Sequence, residues 1–105
     1  MLTKENIADI ISTIKNKINP SQIYLFGSYA ADKATEASDL DLLVVDDSDQ
    51  NKNVLALEIS KTLFPRNYGL DLIVVSPEEI QRRKQQKLGF WLNILEESRK
   101  VYERN

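Results

Sequence analysis

Two six-residue segments that share one pattern constrain the fold more than any other feature of the sequence. Residues 40–45 read LDLLVV and residues 70–75 read LDLIVV. After its acidic residue each run is apolar on both faces, which is typical of strands that are covered on both sides. A helix predicted over residues 53–64 provides the crossover that two parallel strands need. The repeat therefore predicts a parallel pair with Asp41 and Asp71 at the same end of one sheet.

The rest of the chain predicts a single α/β domain over residues 1–105, with a small mixed β-sheet flanked by helices. Its first strand should run antiparallel to the 40–45 strand. Only then does the first strand end at the edge of the sheet that carries Asp41 and Asp71. The other expected elements are a helix over 3–17 with Thr3 as N-cap, a strand over 22–26, a short helix within 28–34, and helices over 77–87 and 89–103. The expected buried stripe of the 53–64 helix is Leu55, Ile59, Leu63 and Val54.

The chain contains neither Cys nor His. This excludes disulfides, thiolate nucleophiles, Ser-His-Asp triads and zinc sites built on sulfur or imidazole. A catalytic site must then rely on carboxylates, hydroxyls and amines, together with oxygen-liganded cations such as Mg²⁺. The formal net charge of −2 gives no reason to expect direct nucleic-acid binding. No apolar run approaches the ~20 residues that cross a bilayer, so we expect no membrane association and a cytoplasmic location.

Gly27 and Ser28 lie between the first predicted strand and a segment of small residues. Glycine allows a sharp turn and close approach of a ligand, and Ser28 is a candidate cap for the helix that follows. The free N–H groups at such a helix start suit a phosphate. Taken alone, the same pattern is better explained by an ordinary turn.

Asp39 and Asp41 open the second strand and point to the same face, about 7 Å apart along the chain. Two carboxylates at this spacing can converge on one metal ion or on a close pair of ions. A solvated strand start is the simpler explanation of the two residues by themselves. Asp71 strengthens the metal hypothesis, because a carboxylate within an apolar strand needs a cation or hydrogen-bond partners.

These residues resemble the signature of the DNA polymerase beta-type nucleotidyltransferase superfamily. The resemblance rests on residues 25–28, LFGS, followed after ten residues by 39–44, DLDLLV. Asp71 matches the third acidic position of that family, and residues 94–103 are similar to the usual end of its domains. The small size is similar to the minimal nucleotidyltransferase (MNT) branch, so the resemblance implies a polymerase beta-like fold.

The resemblance also implies an activity, namely transfer of a nucleoside monophosphate, AMP from ATP, to an acceptor hydroxyl. Asp39 and Asp41 would hold Mg²⁺ in a two-ion site, and Asp71 would help to ligate the second ion and to deprotonate the acceptor. Gly27 and Ser28 would bind the phosphates of the NTP. Bacterial members of this branch often act as antitoxins of a helical HEPN-type toxin, and several add AMP to a tyrosine of that partner. A HEPN-type protein is therefore the expected partner.

The sequence departs from the family pattern directly after Ser28. Many relatives read Gly-Ser-x-Ala-Arg-Gly, whereas this chain has Ala31 in place of the Arg and Asp32 in place of the Gly. The change removes a fixed cation near the phosphates and adds a negative charge. Lys33 is a candidate replacement. The departure bears on the strength of catalysis and not on the fold.

Two features near the C-terminus suggest a partner surface, although each also has an ordinary explanation. Arg82, Arg83, Lys84 and Lys87 form a basic cluster. It is either a solvated helix face or a landing site for an acidic partner or for RNA that the partner holds. The predicted 89–103 helix is apolar on two sides. The second side indicates either a homodimer or toxin contact, or packing against the first helix.

Three hypotheses follow from the sequence. The first is a Mg²⁺- and ATP-dependent adenylyltransferase that modifies a partner protein. The second is a binding module that keeps the fold and neutralises its partner by occlusion. The third is transfer to a small molecule such as an aminoglycoside, which usually needs an additional domain to hold the acceptor.

Overall fold

The structure is a computed structural model that describes residues 1–86, 94 and 96–105. The helices are α1 (Lys4–Ile18), α2 (Gly27–Ala30), α3 (Lys52–Thr62) and α4 (Pro77–Gln86). The strands are β1 (Gln22–Phe26), β2 (Leu40–Val45), β3 (Leu70–Val75) and β4 (Arg99–Glu103). Among these described elements, no helix combines the length and the apolar character that a membrane crossing requires.

The four strands form one mixed sheet in the order β3-β2-β1-β4. β2 and β3 are parallel and in register from Leu40 opposite Leu70 to Val45 opposite Val75. β1 is antiparallel to β2, as predicted, and brings Phe26 opposite Asp41. Because β2 is an inner strand, its aliphatic residues are buried on both faces, whereas the edge strand β3 is only partly covered. The mixed sheet with flanking helices is thus confirmed.

Each face of the sheet has its own apolar core. On one face Leu40, Leu42 and Val44 of β2 pack against residues of α1 and α3, such as Ile14 and Ile59. On the other face a second set packs around α4. This set consists of Phe26, Leu43, Val45, Val75, Ile80 and Ile94. The alternation along β2 places Asp41 on the second face, at the end of the strand that precedes this core.

Local sequence explains where α1 begins and ends and where α3 begins. Thr3 and Asn6 form a reciprocal capping box, in which each side chain accepts a hydrogen bond from the backbone N–H of the other. Asn19 ends α1 in the left-handed conformation at φ 50, which Asn tolerates better than most residues. Asn51 caps α3 by accepting hydrogen bonds from Asn53 and Val54.

The prediction of a helix over residues 89–103 is wrong at its C-terminal end. Residues Arg99–Glu103 form β4, which pairs antiparallel with β1. The free edge of β1 can satisfy the backbone of this segment, and Val101 and Tyr102 are residue types that favour strands. Ile94, Glu96 and Glu97 are helical, while residues 87–93 and 95 lie outside the described part of the chain. The two-sided apolar helix thus loses Val101 and Tyr102, and with them part of its support for a homodimer.

Two smaller expectations also change. In α3, Leu55 and Ile59 are buried as predicted, but Val54 is 51% exposed because it lies on the outer side of the helix. In the basic cluster, Arg82 and Arg83 both pair with Glu79 on the same helix. Lys87 lies outside the described residues. Part of the cluster's charge is therefore neutralised within α4.

Candidate active site

The parallel β2–β3 pair brings Asp41 and Asp71 directly opposite each other at one end of the sheet. Asp41 is partly buried and Asp71 is exposed. Burial, the negative charges of Asp71 and Asp39, and a hydrogen bond with Asp71 together raise the pKa of Asp41 to about 6. The raised pKa means that Asp41 loses its proton less readily than an isolated carboxyl group. The two acids therefore crowd negative charge at this end of the sheet.

Asp39 lies just before β2 and is exposed. Its carboxylate lies against the backbone of Gly69, where an added Cβ would overlap it. The backbone N–H of Leu40 donates to the carbonyl of Gly69 at 2.8 Å, which extends the β2–β3 pairing by one step. Asp39 thus stands at the same edge as Asp41 and Asp71 and contributes to the negative potential that acts on Asp41.

Gly27 follows β1 and brings the backbone against the Asp41 carboxylate. Its φ is +71, and a Cβ at this position would overlap the carboxylate of Asp41. Both observations favour glycine here, since a left-handed backbone disfavours a side chain and the Asp41 carboxylate leaves no room for one. The predicted proximity of Gly27 to the acidic pair is therefore present in the structure.

Ser28 lies inside α2 and not at its cap. The N-cap is Phe26, which has no side-chain capping bond, and the helix begins at Gly27. The proposed capping role of Ser28 is therefore wrong, because the chain already turns into the helix at Gly27. Ser28 still lies in the first turn, where backbone N–H groups lack partners within the helix.

The donor set fits a divalent cation. Within the described part of the chain, the causes that act on Asp41 all raise its pKa, and none is a Lys or Arg. A cation between Asp41 and Asp71 would relieve the repulsion between the two carboxylates, and carboxylate oxygens are the ligands that Mg²⁺ prefers. In residues 1–86, 94 and 96–105, no group of three or more acidic side chains is already gathered closely enough to hold an ion. Asp41 and Asp71, with Asp39 beside them, are the residues that could hold such an ion.

The departure from the family motif has a structural counterpart that sequence reasoning missed. Ala31 is the C-cap of α2, and Asp32 follows in the left-handed conformation at φ 57. The Asp32 carboxylate accepts a hydrogen bond from Nη2 of Arg99 at 2.8 Å. A left-handed residue explains why Gly is common at this position. Arg99 went unnoticed because residues 89–103 were expected to be helical.

A second polar cluster, formed by Asp46, Ser48 and Lys52, lies at the other end of β2 and has a structural role. Asp46 is 2% exposed, and its Oδ2 accepts hydrogen bonds from Lys52 Nζ at 2.8 Å and from the Ser48 hydroxyl. Lys52 also donates to the backbone carbonyls of Ser48 and Gln50. The cluster fixes the turn between β2 and α3, and the length of β2 separates it from Asp41.

Comparison with known proteins agrees with this geometry. The family model described as "Polymerase beta, Nucleotidyltransferase" matches residues 8–105. A protein of Methanocaldococcus jannaschii, named "Putative protein adenylyltransferase MJ0604", is 31% identical over 104 residues, covering 97% of this chain and all of that protein.

Solved structures share the fold at lower identity. The MNT antitoxin complex with a tri-AMPylated HEPN toxin from Shewanella oneidensis superposes with a TM-score of 0.62 at 20% identity, covering 98% of this chain and 74% of that chain. A toxin–antitoxin structure with AMP-PNP gives a TM-score of 0.57 at 18% identity, covering 92% of this chain and 73% of that chain. The family match over residues 8–105 and the 31% identical relative, on a chain whose mixed sheet gathers the expected acids, show that this chain belongs to the polymerase beta nucleotidyltransferase family.

Proposed function

We propose that this protein is a Mg²⁺-dependent adenylyltransferase that moves AMP from ATP onto a hydroxyl of a partner protein. The acceptor is a tyrosine of a HEPN-type toxin, and the modification neutralises that toxin. The observation that carries the proposal is the meeting of Asp41 and Asp71 on one rung of the parallel pair, with Gly27 seated against Asp41.

In this proposal Asp39, Asp41 and Asp71 hold the metal ions. Bound Mg²⁺ supplies charge neutralisation on the attacking and leaving oxygens. Gly27 and Ser28 present backbone N–H groups to the phosphates, because the absence of a side chain at Gly27 leaves the backbone accessible. Asp71 is the more exposed carboxylate of the pair and accepts the proton of the acceptor hydroxyl. The new bond joins that oxygen to the α-phosphorus, the α–β bridge breaks, and pyrophosphate leaves.

The comparisons support the chemical class and the partner. The name of the Methanocaldococcus jannaschii relative describes a protein adenylyltransferase. The Shewanella oneidensis complex contains an AMPylated HEPN toxin bound to its MNT antitoxin, and another toxin–antitoxin structure contains AMP-PNP. The same fold therefore occurs beside the proposed partner, modification and nucleotide type.

A binding module without catalysis is the competing function. It is favoured by Ala31, since the Arg of many relatives is absent from the site. In that case the protein would neutralise its partner by covering it, and the carboxylates would be dispensable.

The test is to incubate the protein with Mg²⁺, ATP and its HEPN-type partner, and to measure AMP-sized mass additions on the partner. We expect additions with the wild type and with Asp49→Asn, a control that removes an exposed acid outside the site. The Asp39→Asn/Asp41→Asn variant should give none and should fail to neutralise the toxin. If that variant neutralises the toxin as well as the wild type does, and neither modifies it, the protein is a binding module.

A further inference from the structure

We infer that the outer surface of α3 is a contact between two copies of this chain, packed as an antiparallel helix pair. The inference is independent of the proposed function, because α3 covers the face of the sheet opposite to Asp41. Its starting point is the exposure of Val54, Leu57 and Phe64, which are 51%, 56% and 72% exposed. In residues 1–86, 94 and 96–105, Met1 is the one further large apolar side chain with similar exposure.

The helix α3 is apolar on two sides. Leu55 and Ile59 are buried against the sheet. Val54 and Leu57 are three residues apart, so they share one surface of the helix, and this surface points roughly away from the buried pair. A helix on the surface of a monomer needs one apolar stripe, the one that faces the core. The second stripe is therefore typical of a protein–protein contact.

Phe64 extends this outer stripe beyond the last turn of α3. Its backbone N–H donates to the carbonyl of Lys61 at 3.2 Å, so the chain still turns as a helix would at this point. The outer stripe, defined as Val54, Leu57, Lys61 and Phe64, follows the spacing of one helix surface. It is about 15 Å long, since ten residues rise by about 1.5 Å each.

Two charges of opposite sign accompany the outer stripe. Lys61 lies within it, and Glu58 lies beside it. Both side chains are exposed, and within the described part of the chain neither forms an ion pair. The surface thus presents one acid and one base that are available to a neighbouring molecule.

The order of these charges favours a second copy in antiparallel orientation. When two α3 helices cross at the level of Ile59, position 54 of one lies opposite position 64 of the other, and position 58 lies beside position 61. Val54 then packs against Phe64 of the second copy, and Glu58 lies beside Lys61 of the second copy. Two-fold symmetry repeats each contact. A parallel pair would place like charges together, which is unfavourable.

The experiment is sedimentation velocity of the full chain over a range of concentrations. A contact of this small size forms a weak dimer, so we expect the wild type to dimerise reversibly as its concentration rises. Glu58→Lys and Lys61→Glu should each weaken dimerisation by about tenfold or more, because each brings like charges together at both symmetric contacts. Asp9→Lys, a matched reversal at an exposed position of α1, should dimerise like the wild type.

A mixture of the two single variants is the sharpest part of the test. When Glu58→Lys and Lys61→Glu are combined in equal amounts, both contacts again join opposite charges, so the mixture should form heterodimers with the affinity of the wild type. Leu57→Gln should weaken dimerisation without recovery in any mixture. At a dilution where the chain is monomeric, all variants should melt like the wild type, since the replaced side chains are exposed.

Other results would overturn the inference. A wild type that remains monomeric at about 1 mM would exclude a contact between two copies. Dimers that persist in both charge reversals, or a mixture that stays monomeric, would place the contact elsewhere. If Leu57→Gln left self-association unchanged but weakened binding of the HEPN-type partner, the outer stripe would belong to that partner.

Discussion

Asp41 and Asp71 lie directly opposite each other across the parallel β2–β3 pair, and the charge of Asp71 contributes to the raised pKa of Asp41. Parallel pairing in exact register places the two acids of the repeated pattern side by side, on the face opposite Leu40 and Leu42. The apolar residues that follow in each strand pack in the sheet, so the two acids lie at one end of it. The arrangement concentrates negative charge at the edge of the sheet where we propose that metal ions bind, and the following predictions test it.

The metal-free protein should lose stability as the pH rises from about 4 to above 6. The pKa of Asp41 is raised in the folded protein to about 6, from an ordinary value of 3.8. The folded state therefore holds the proton more tightly, so its stabilisation is complete below pH 4 and is lost as pH passes 6. Because Asp41 is only partly buried, solvent screening reduces the effect to about 1 kcal/mol.

Asp41→Asn should remove that pH dependence. Melting with a chelator at pH 7.5 should show the variant several degrees more stable than the wild type, about 5 °C for a domain of this size. At pH 4 the two should melt together. A variant that is less stable than the wild type at pH 7.5 would contradict the charge crowding derived from the structure.

Mg²⁺ should stabilise the wild type at neutral pH, because a ligand that binds only the folded state shifts the unfolding equilibrium. At a Mg²⁺ concentration of 100 times Kd the gain is about 2.7 kcal/mol. Asp41→Asn and Asp71→Asn should each abolish most of the Mg²⁺-induced rise in melting temperature. Asp49→Asn should retain it, and equal loss in that control would indicate nonspecific screening.

Gly27→Ala should destabilise the protein and displace Asp41. The left-handed backbone at φ +71 costs a residue with a Cβ about 1–2 kcal/mol, and the new methyl group overlaps the Asp41 carboxylate. We expect a fall in melting temperature of about 5–10 °C together with loss of Mg²⁺ stabilisation. Ser28→Ala, one residue later within α2, should change the melting temperature by less than about 3 °C.

Lys52→Met should destabilise the fold through Asp46 without altering the candidate site. Burial acts to raise the pKa of Asp46, but hydrogen bonds from Lys52 and Ser48 outweigh it and hold that pKa below its usual range. Removal of Lys52 leaves Asp46 with only the hydrogen bonds from Ser48, at a cost of about 1–3 kcal/mol. Urea unfolding should show this loss, while the exposed replacement Lys61→Met should have little effect.

The same Asp46 interactions make the wild type sensitive to acid. A depressed pKa means that the folded state favours the carboxylate, so this stabilisation is present near neutral pH and is lost as pH falls through the folded pKa. The acid sensitivity should be smaller in Lys52→Met, which keeps only the contribution of Ser48. Undiminished acid sensitivity in that variant would assign acid unfolding to other groups.

Sequence periodicity predicted the elements whose signals are local. The apolar runs of β2 and β3 and the cap at Thr3 lie at the predicted residues, because each is encoded by neighbours within a few positions. The parallel pairing was also predictable, since a crossover helix joins two strands of the same pattern. The exposure of Val54 was not predictable. Helical periodicity defines an apolar stripe, but it does not say which residues at the margin of that stripe face the sheet.

The sequence by itself therefore determined the two acidic strands, their shared end and the glycine that approaches them. Only the tertiary structure decided that residues 99–103 pair with β1, because a strand edge far away in sequence supplies the partners for their backbone. It also decided that Asp41 carries a raised pKa, since the burial of this residue on an inner strand contributes to the shift. The Arg99–Asp32 pair joins residues 67 positions apart, and no local pattern encodes a contact that exists only after the sheet has formed.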